Sequence, residues 1–354
     1  MKLCILTRFY YPMKTGGAEV FSYALSQLMA KKGHEVHVVR QDMGTKEVMS
    51  SEEGIHVHRI KFPSFFKPPF YTLGCLFYFY QVIKVLKKVK PDIVHAIQTN
   101  FNGSYGLIVA KLLRLPFFIN DHGGYNILPW WHRKIVSYFI LKNVDGIVVP
   151  SQHLKGIISR EHRHLEDKIH VIPNGLFLKE QREYTKEDAR KLLRWDKGCF
   201  MITFIGSLSK IKRPLFALKI AEHLKSSFSS ETNPLKFRLN LIGEGPERGS
   251  VERYIKERSL SDVVSLFGLV KKELIPVYIS ASDVIILPSL VEYYSNILLE
   301  SLVRGCLVVA SDVGCVSEIV EDGKNGFLIQ PNDLRGFVKA IKKLGEEDAT
   351  LLEE

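Results

Sequence analysis

Short apolar runs alternate with segments of helical spacing in two consecutive blocks, and this pattern constrains the 354-residue chain more than any other feature. In the first block, residues 3–7, 36–39, 55–60, 92–97, 117–120, 147–149 and 170–172 read as buried strands. Between them lie helical repeats such as Val20, Ala24 and Leu28, closed by Gly33. After a charged stretch the alternation restarts. Strands are expected at 201–205, 238–242, 264–267, 284–287, 307–310 and 327–329, with helices starting at Pro214, Glu247, Lys272, Asn296 and Ser317. Strands that read as continuous apolar runs are buried on both faces, which requires crossover helices on both sides of a parallel sheet. The expectation is therefore α/β: two doubly wound parallel-sheet domains of Rossmann-like type. Their bounds are 1–175 and 199–344. Residues 176–198, charged apart from a short helix near 188–194, read as the interdomain connection, and 345–354 as a short tail. No repeat of ~20–50 residues is visible, which excludes a solenoid.

Length agrees with two domains. A hydrophobic content of 46% with 25% charged residues is that of a soluble globular protein and excludes a disordered one. The first residues, MKLCILTRFYYP, hold a short apolar run closed by Arg8 and Pro12, with no small-residue cleavage site. No run reaches the ~20 apolar residues that span a bilayer. Five scattered cysteines (Cys4, Cys75, Cys199, Cys306, Cys315) without a C-x-x-C pair suggest neither disulfides nor a zinc site, and fit a reducing cytoplasm.

The net charge of +11 is uneven. Residues 1–173 hold 23 lysines and arginines against 12 aspartates and glutamates, so the whole excess lies there and the remainder balances. Such asymmetry points to an anionic partner or serves solubility alone; no nucleic-acid motif accompanies it, so the partner reading is an acidic membrane surface. Segment 61–92 is aromatic in front (Phe65, Phe66, Phe70, Tyr71) and basic behind (Lys84, Lys87, Lys88, Lys90). A helix over 72–88 has a wide apolar face of Leu73, Leu76, Phe77, Tyr80, Ile83 and Leu86. It fits a crossover helix facing the core, or an interfacial surface on anionic lipid.

Open parallel sheets bind ligands at the carboxyl ends of their strands, so chemistry is sought there. Gly16 and Gly17 follow the first strand in a β-loop-α unit, where backbone must approach something closely. They form neither a GxGxxG fingerprint nor a P-loop. His122 lies just past strand 117–120. In the second block, Gly206, Ser207 and Leu208 precede the basic Lys210, Lys212 and Arg213, a cluster suited to a diphosphate. Residues 242–246, IGEGP, form a tight turn at Gly243. The stretch LPSLVEYYSNILLESLVRG, 287–305, is a strand, a polar loop and a helix start, which presents backbone N–H groups to an anion. Glu292 and Glu300 bracket that helix start.

In this order, and with 172–175 (IPNG) and 322–326 (DGKNG) beside them, these elements resemble the retaining glycosyltransferases of the GT-B fold, of the family 4 or group 1 type. The resemblance runs from Met1 to about Leu344. It implies an acceptor-side domain and a nucleotide-sugar-binding domain facing a central cleft. It further implies that Glu300 accepts hydrogen bonds from the donor ribose, and that amides around Tyr294, Ser295 and Asn296 hold the diphosphate or the sugar hydroxyls. Lys212 would neutralise the leaving diphosphate beside Gly206, Ser207 and Gly243. Glu292 would face the donor sugar, His122 would reach the sugar from the opposite domain, and Gly16-Gly17 would close over the phosphates. No Asp-x-Asp occurs, in keeping with a donor held without metal or other cofactor. The family usually has arginine where this chain has Ser207, and Lys210 or Arg213 are the candidates to replace its charge.

The implied function is transfer of a hexosyl residue from a nucleotide-diphosphate sugar to a glycan or lipid-linked acceptor. Such a step belongs to the synthesis of cell-surface polysaccharide, glycolipid or glycoprotein glycan, in the cytoplasm and peripheral to the inner membrane face. A nucleotide-sugar epimerase or a sugar phosphorylase on the same fold is the alternative. A non-catalytic nucleotide-sugar-binding module is a further one, supported by the missing arginine.

Overall fold

The computed structural model describes residues 1–8, 10, 17–42, 54–61, 71–99, 101–123, 139–176, 183–228 and 236–353. The chain forms two compact units, Met1–Asn174 and Gly175–Glu354. In the first, β1 (Lys2–Thr7), β2 (Glu35–Asp42), β3 (Ile55–Lys61), β4 (Ile93–Ile97), β5 (Phe117–Asn120), β6 (Gly146–Val149) and β7 (Ile169–Val171) pair in the order β3-β2-β1-β4-β5-β6-β7. Every pairing is parallel. Helices α1 (Gly17–Lys31), α2 (Tyr71–Val89), α3 (Phe101–Leu112) and α4 (Gln152–Glu161) connect strands. The α1 face carrying Phe21, Leu25 and Met29 packs on Leu3, Ile5, Val36, Val38 and Ile55. Each such aliphatic side chain contributes about 1.5–3 kcal/mol when fully buried.

Helix α2 corrects one expectation. Its buried stripe is Tyr78, Val82, Leu86 and Val89, while Phe77 is 38% and Tyr80 61% exposed. The spacing i, i+4, i+8 is the tightest helical stripe the segment offers, and it lies a quarter-turn or more from Phe77 and Tyr80. The aromatic residues 65, 66 and 70 lie outside the described residues, as does Gly16.

In the second unit, β8 (Phe200–Ile205), β9 (Phe237–Ile242), β10 (Val264–Gly268), β11 (Val284–Leu287), β12 (Leu307–Ser311) and β13 (Gly326–Ile329) pair in the order β10-β9-β8-β11-β12-β13, again all parallel. One face buries Ile202, Phe204, Leu239 and Ile286 under α6 (Pro214–Phe228) and α10 (Leu334–Glu353). The other buries Ile285, Leu287, Val308 and Ala310 under α8 (Ile275–Ala281) and α9 (Asn296–Val303). A helix α7 (Arg248–Glu257) follows β9.

Two local differences from the sequence reading have physical causes. The helix expected from Ser317 is a single 3-10 turn, Val316–Glu318. Asn325 accepts from the Glu321 amide at 2.9 Å and donates to the Ile319 carbonyl at 3.3 Å, so its side chain takes groups a continuing helix would need. The short helix expected near 188–194 is α5 (Lys186–Leu193), and it is part of the second unit's packing. Ala189 is buried with Val277 and Ala281 of α8, and Tyr184, Leu193 and Trp195 pack around them.

Aspartates at the amino ends of strands fix the register. Asp92, Asp145 and Asp283 each precede a strand (β4, β6, β11), and each bonds twice to the residue opposite it on the neighbouring strand. Their amides donate to the carbonyls of Lys2, Phe117 and Met201, each at 2.9 Å. Their carboxylates accept from the amides of the same three residues at 2.7, 2.8 and 2.6 Å. The Asp283 side chain is 3% exposed and also takes Arg190 of α5 at 2.5 Å and Lys186 at 2.7 Å.

Removing a buried ion-pair partner strands the other charge, at a cost of about 3–5 kcal/mol. Asp283→Ala is therefore expected to destabilise the protein by roughly that amount in guanidinium unfolding, whereas Asp92→Ala, at an exposed position, costs about 1 kcal/mol. Equal losses for the two variants would refute the role given to Arg190.

Candidate active site

The strand order of the second sheet reverses between β8 and β11, since β9 and β10 extend it on one side and β12 and β13 on the other. Connections leaving adjacent strands at such a point run to opposite faces and open a crevice at the carboxyl ends. Gly206 lies at the end of β8 and the loop 288–295 at the end of β11, so the two stretches singled out in the sequence flank this point.

Backbone contacts lock the loops together. The Gly206 amide donates to the Ile242 carbonyl at 3.0 Å, Leu208 to Glu244 at 3.0 Å, and Glu247 to Leu208 at 2.8 Å. Gly243 has φ +139°, and a Cβ there would overlap the Gly206 carbonyl oxygen. On the other side, the Leu290 amide donates to the Ile211 carbonyl at 2.8 Å, and Cys315 to the Glu292 carbonyl at 3.0 Å. Gly314 has φ +63°, and a Cβ there would overlap the Glu292 carbonyl.

This frame brings Lys212 and Glu292 together, with Nζ 2.6 Å from Oε1. The Glu292 side chain is 3% exposed and that of Lys212 31%. The same Oε1 accepts from the buried Ser289 hydroxyl at 2.7 Å. The carboxylate thus fixes the ammonium in place while leaving it part-open to the crevice. Beside the pair, α9 starts at Asn296 behind Ser295, which is extended and contributes no side-chain cap. First-turn amides of this helix are not taken by a cap and favour an anion. The Ser295 amide, however, lies within hydrogen-bonding reach of the Cys315 thiol, whose pKa burial pushes up to about 12 despite that contact.

Glu300 is half-buried, one turn further on. Burial raises its pKa, against the opposing pull of Arg304 and Lys272. Burial lowers the pKa of both those cations, which Glu300 partly offsets. Arg304 also donates to the Glu300 carbonyl at 2.9 Å. A partly dehydrated carboxylate between two cations is suited to accept from hydroxyl groups near a phosphate. Ser207 is exposed, its hydroxyl 3.0 Å from that of Ser209. Of the two candidate replacements for the missing arginine, Arg213 is committed elsewhere: its guanidinium lies 4.0 Å over the Phe216 ring and donates to Asn332 at 2.7 Å. Lys210 is exposed.

In the first unit, Gly17 is the exposed first residue of α1. His122 follows β5, with its ring edge-on to Phe21 at 4.6 Å and part of its surface open, while Nε2 itself is buried with no hydrogen-bond partner among the described residues. Burial, with neighbouring His95 adding to it, brings its pKa down to about 4, so the imidazole is neutral at physiological pH. The buried Thr99 hydroxyl, Asn120 Oδ1 and His95 Nε2 are likewise without partners among the described residues. Thr99, Asn120 and His122 lie at the carboxyl ends of β4 and β5, with His95 inside β4, and polar atoms left so at strand ends suit a surface that meets a polar ligand. The sequence reading missed Ser289, Gly314, Cys315, Lys272 and Arg304. Only Gly314 had a signal, as another glycine just past a strand.

Fold and site together define a doubly wound α/β protein with a cationic corner at the switch point of its second sheet. Two family models match the chain, Glycosyltransferase Family 4 over residues 15–180 and Glycosyl transferases group 1 over residues 185–353. The chain belongs to this family of glycosyltransferases. Among its relatives, the phosphatidylinositol N-acetylglucosaminyltransferase GPI3 subunit of Saccharomyces cerevisiae (strain YJM789) is 26% identical over 90% of this chain and 69% of its own length. The alpha-monoglucosyldiacylglycerol synthase of Acholeplasma laidlawii is 23% identical over 94% and 86%. Among solved structures, Anabaena Alr3699/HepE in complex with UDP and glucose superposes with a TM-score of 0.81, at 19% identity, over 99% of this chain and 91% of that one. Sucrose-phosphate synthase from Thermosynechococcus elongatus gives 0.81 at 20% identity over 98% and 90%. Both carry the GT-B fold, and so does this chain.

Two pH dependences follow. A carboxyl whose pKa is raised on folding stabilises the native state below the ordinary carboxylate range and loses that contribution as pH rises. Glu300→Gln is therefore expected to raise Tm relative to the parent at pH 7 and to leave it unchanged near pH 4. His122 and His95, both held near 4, act oppositely: their contribution is full above the ordinary histidine pKa and is lost as pH falls from 6.5 through 4. His122→Asn should flatten the parent's acid-side decline in stability over that interval, by up to about 1.4 kcal/mol per pH unit. Parallel pH profiles for variant and parent would overturn either assignment.

Proposed function

We propose that the chain transfers a hexosyl residue from a nucleotide-diphosphate sugar to a glycan or lipid-linked acceptor, with retention of anomeric configuration and without metal at the donor. The observation that carries this is the Lys212–Glu292 pair at the switch point, beside the uncapped start of α9. The diphosphate lies against Lys212 and the first-turn amides of α9, and the ribose hydroxyls donate to Glu300. The acceptor hydroxyl attacks the anomeric carbon from the side on which the diphosphate leaves. The bond from that carbon to the diphosphate oxygen breaks, and the hydroxyl proton passes to the departing phosphate. Charge accumulates on the leaving group, so an ammonium already held in place lowers the barrier without reorganising. No carboxylate pair is needed as acid and base, which frees Glu292 to hold Lys212 and to meet a donor hydroxyl.

A lipid-linked acceptor is supported by the excess positive charge of residues 1–173 and by the names of several relatives. Ile108, Leu112 and Phe139, each at least 51% exposed, lie around Lys111 and Asn143. Such a surface suits a peripheral position on an anionic leaflet, facing the cytoplasm. Among the described residues no helix is long and apolar enough to cross a membrane.

A nucleotide-release screen over UDP-, GDP- and ADP-sugars with lipid-extract acceptors tests the reading. Lys212→Ala is expected to lower kcat by about 10²–10³. Glu300→Ala is expected to raise donor KM about 10–100-fold, with a smaller effect on kcat. Activity well below Tm should persist in chelator, and the product anomer should match the donor's. Donor converted with no acceptor present would favour an epimerase, and no turnover of any donor would favour a binding module. Retention of parental kcat in Lys212→Ala would remove the mechanism. Pelleting with anionic vesicles at low salt tests the membrane claim separately.

A further inference from the structure

At the amino ends of β2 and β3, opposite to the end where the carboxyl-end loops gather, four side chains share one face of the sheet. Residues two apart on a strand point the same way, and parallel partners in register do too. His37 pairs with His56 across β2 and β3, so Glu35 and His37 on β2 lie beside His56 and His58 on β3. The imidazoles stack in sequence, with His37 to His56 centroids 4.8 Å apart at 24° and His37 to His58 5.2 Å apart at 22°. His37 is at the centre: Nε2 is 2.9 Å from Glu35 Oε1, and Nδ1 is 2.9 Å from His58 Nε2. One donor atom from each of Glu35, His37 and His56 falls within a 4.8 Å span.

We infer that Glu35, His37 and His56 form a site for a borderline divalent cation such as Zn²⁺, with His58 as the outer partner that orients His37. Two imidazoles and a carboxylate are the donor set such ions favour, and three protein ligands leave one position to solvent. Tetrahedral donors at ~2.0–2.1 Å from an ion stand ~3.3–3.5 Å apart, so the ligands must close slightly from their present span. The residues that must move are the ones able to: Glu35 and His56 are exposed, while His37 is buried and fixed. Two cations oppose binding. Lys2 Nζ is 3.4 Å from Glu35 and must give way to the ion, and Lys88 faces His58 from α2. At the amino ends of the strands the ion takes no part in sugar transfer. It ties edge strand β3, which pairs only with β2, to the interior of the sheet.

The test uses full-length protein freed of any affinity tag and stripped with chelator. Zn²⁺ titration by calorimetry and Co²⁺ titration by visible absorption are expected to show one ion per chain, with the Co²⁺ bands of a four-coordinate nitrogen and oxygen site. His56→Ala, at an exposed position, should fold normally and abolish this stoichiometric binding. His58→Ala should weaken it about 10–100-fold. Zn²⁺ should raise the Tm of the parent and leave that of His56→Ala unmoved. A His162→Ala/His164→Ala variant, altered beside β7 at the other edge of the sheet, should bind as the parent does. Absence of saturable binding, or binding unchanged in His56→Ala, overturns the inference. Because the readout is metal and not turnover, failure here leaves the glycosyltransfer proposal untouched.

Discussion

The second sheet changes direction between β8 and β11, and most of what the site can do depends on that reversal. Two neighbouring strands send their chains to opposite faces, the arrangement that opens a crevice at the carboxyl ends of such sheets. The loops that flank this point touch backbone to backbone. Gly243 against Gly206 and Gly314 against Glu292 supply those contacts on its two sides. A larger residue at either place would push a loop outward, and the alignment of Lys212 with Glu292 rests on both loops. These glycines therefore position the charges, although neither carries any chemistry.

The electrostatics of the corner are balanced more finely than the residue types suggest. Lys212 has Glu292 at 2.6 Å, and Glu300 sits between Lys272 and Arg304. Each carboxylate costs free energy to dehydrate, and each is held by cations that a dianionic ligand would engage in its turn. In the corner as it stands, Glu300 partly offsets the dehydration of Lys272 and Arg304, and those two cations in turn oppose the rise of its own pKa. Ser207 fits this balance, since a further arginine beside Lys212 would add a cation that Glu292 alone would have to hold.

Much of this was legible in the sequence because parallel strands buried on both faces read as continuous apolar runs. The six strands of the second sheet fall within a residue or two of the spans read from pattern alone. Lys212 and Glu292 lie in loops that follow strands and Glu300 one turn into the next helix; taken singly they carried little signal, and their roles came from the family resemblance. What stayed hidden was set by distance in the chain. Ser289 is buried only because β11 is central, and Lys272 and Arg304 meet Glu300 only through packing. The inward stripe of α2 was misjudged because an aromatic-rich helix has apolar residues on every side, and only the sheet beneath it selects Tyr78, Val82 and Leu86. The short turn at 316–318 was hidden because a single side chain, Asn325, outcompetes the helix.

The two ends of each sheet carry different burdens, and this explains where polar residues are placed. At the carboxyl ends, polar atoms such as those of Thr99, Asn120 and His122 have no partner among the described residues. At the amino ends the opposite holds. Asp92, Asp145 and Asp283 each spend amide and carboxylate on one residue of the next strand, and Glu35, His37 and His58 are joined in a chain of hydrogen bonds. A parallel sheet has no tight hairpins to set its register, so something else must prevent a strand from slipping by one residue and turning its apolar side chains outward. The aspartate pairs do this at the strand starts, across β1–β4 and β8–β11 where the order reverses. They stand at the far end of the strands from the carboxyl-end loops, so the register is held without drawing on the polar groups gathered there.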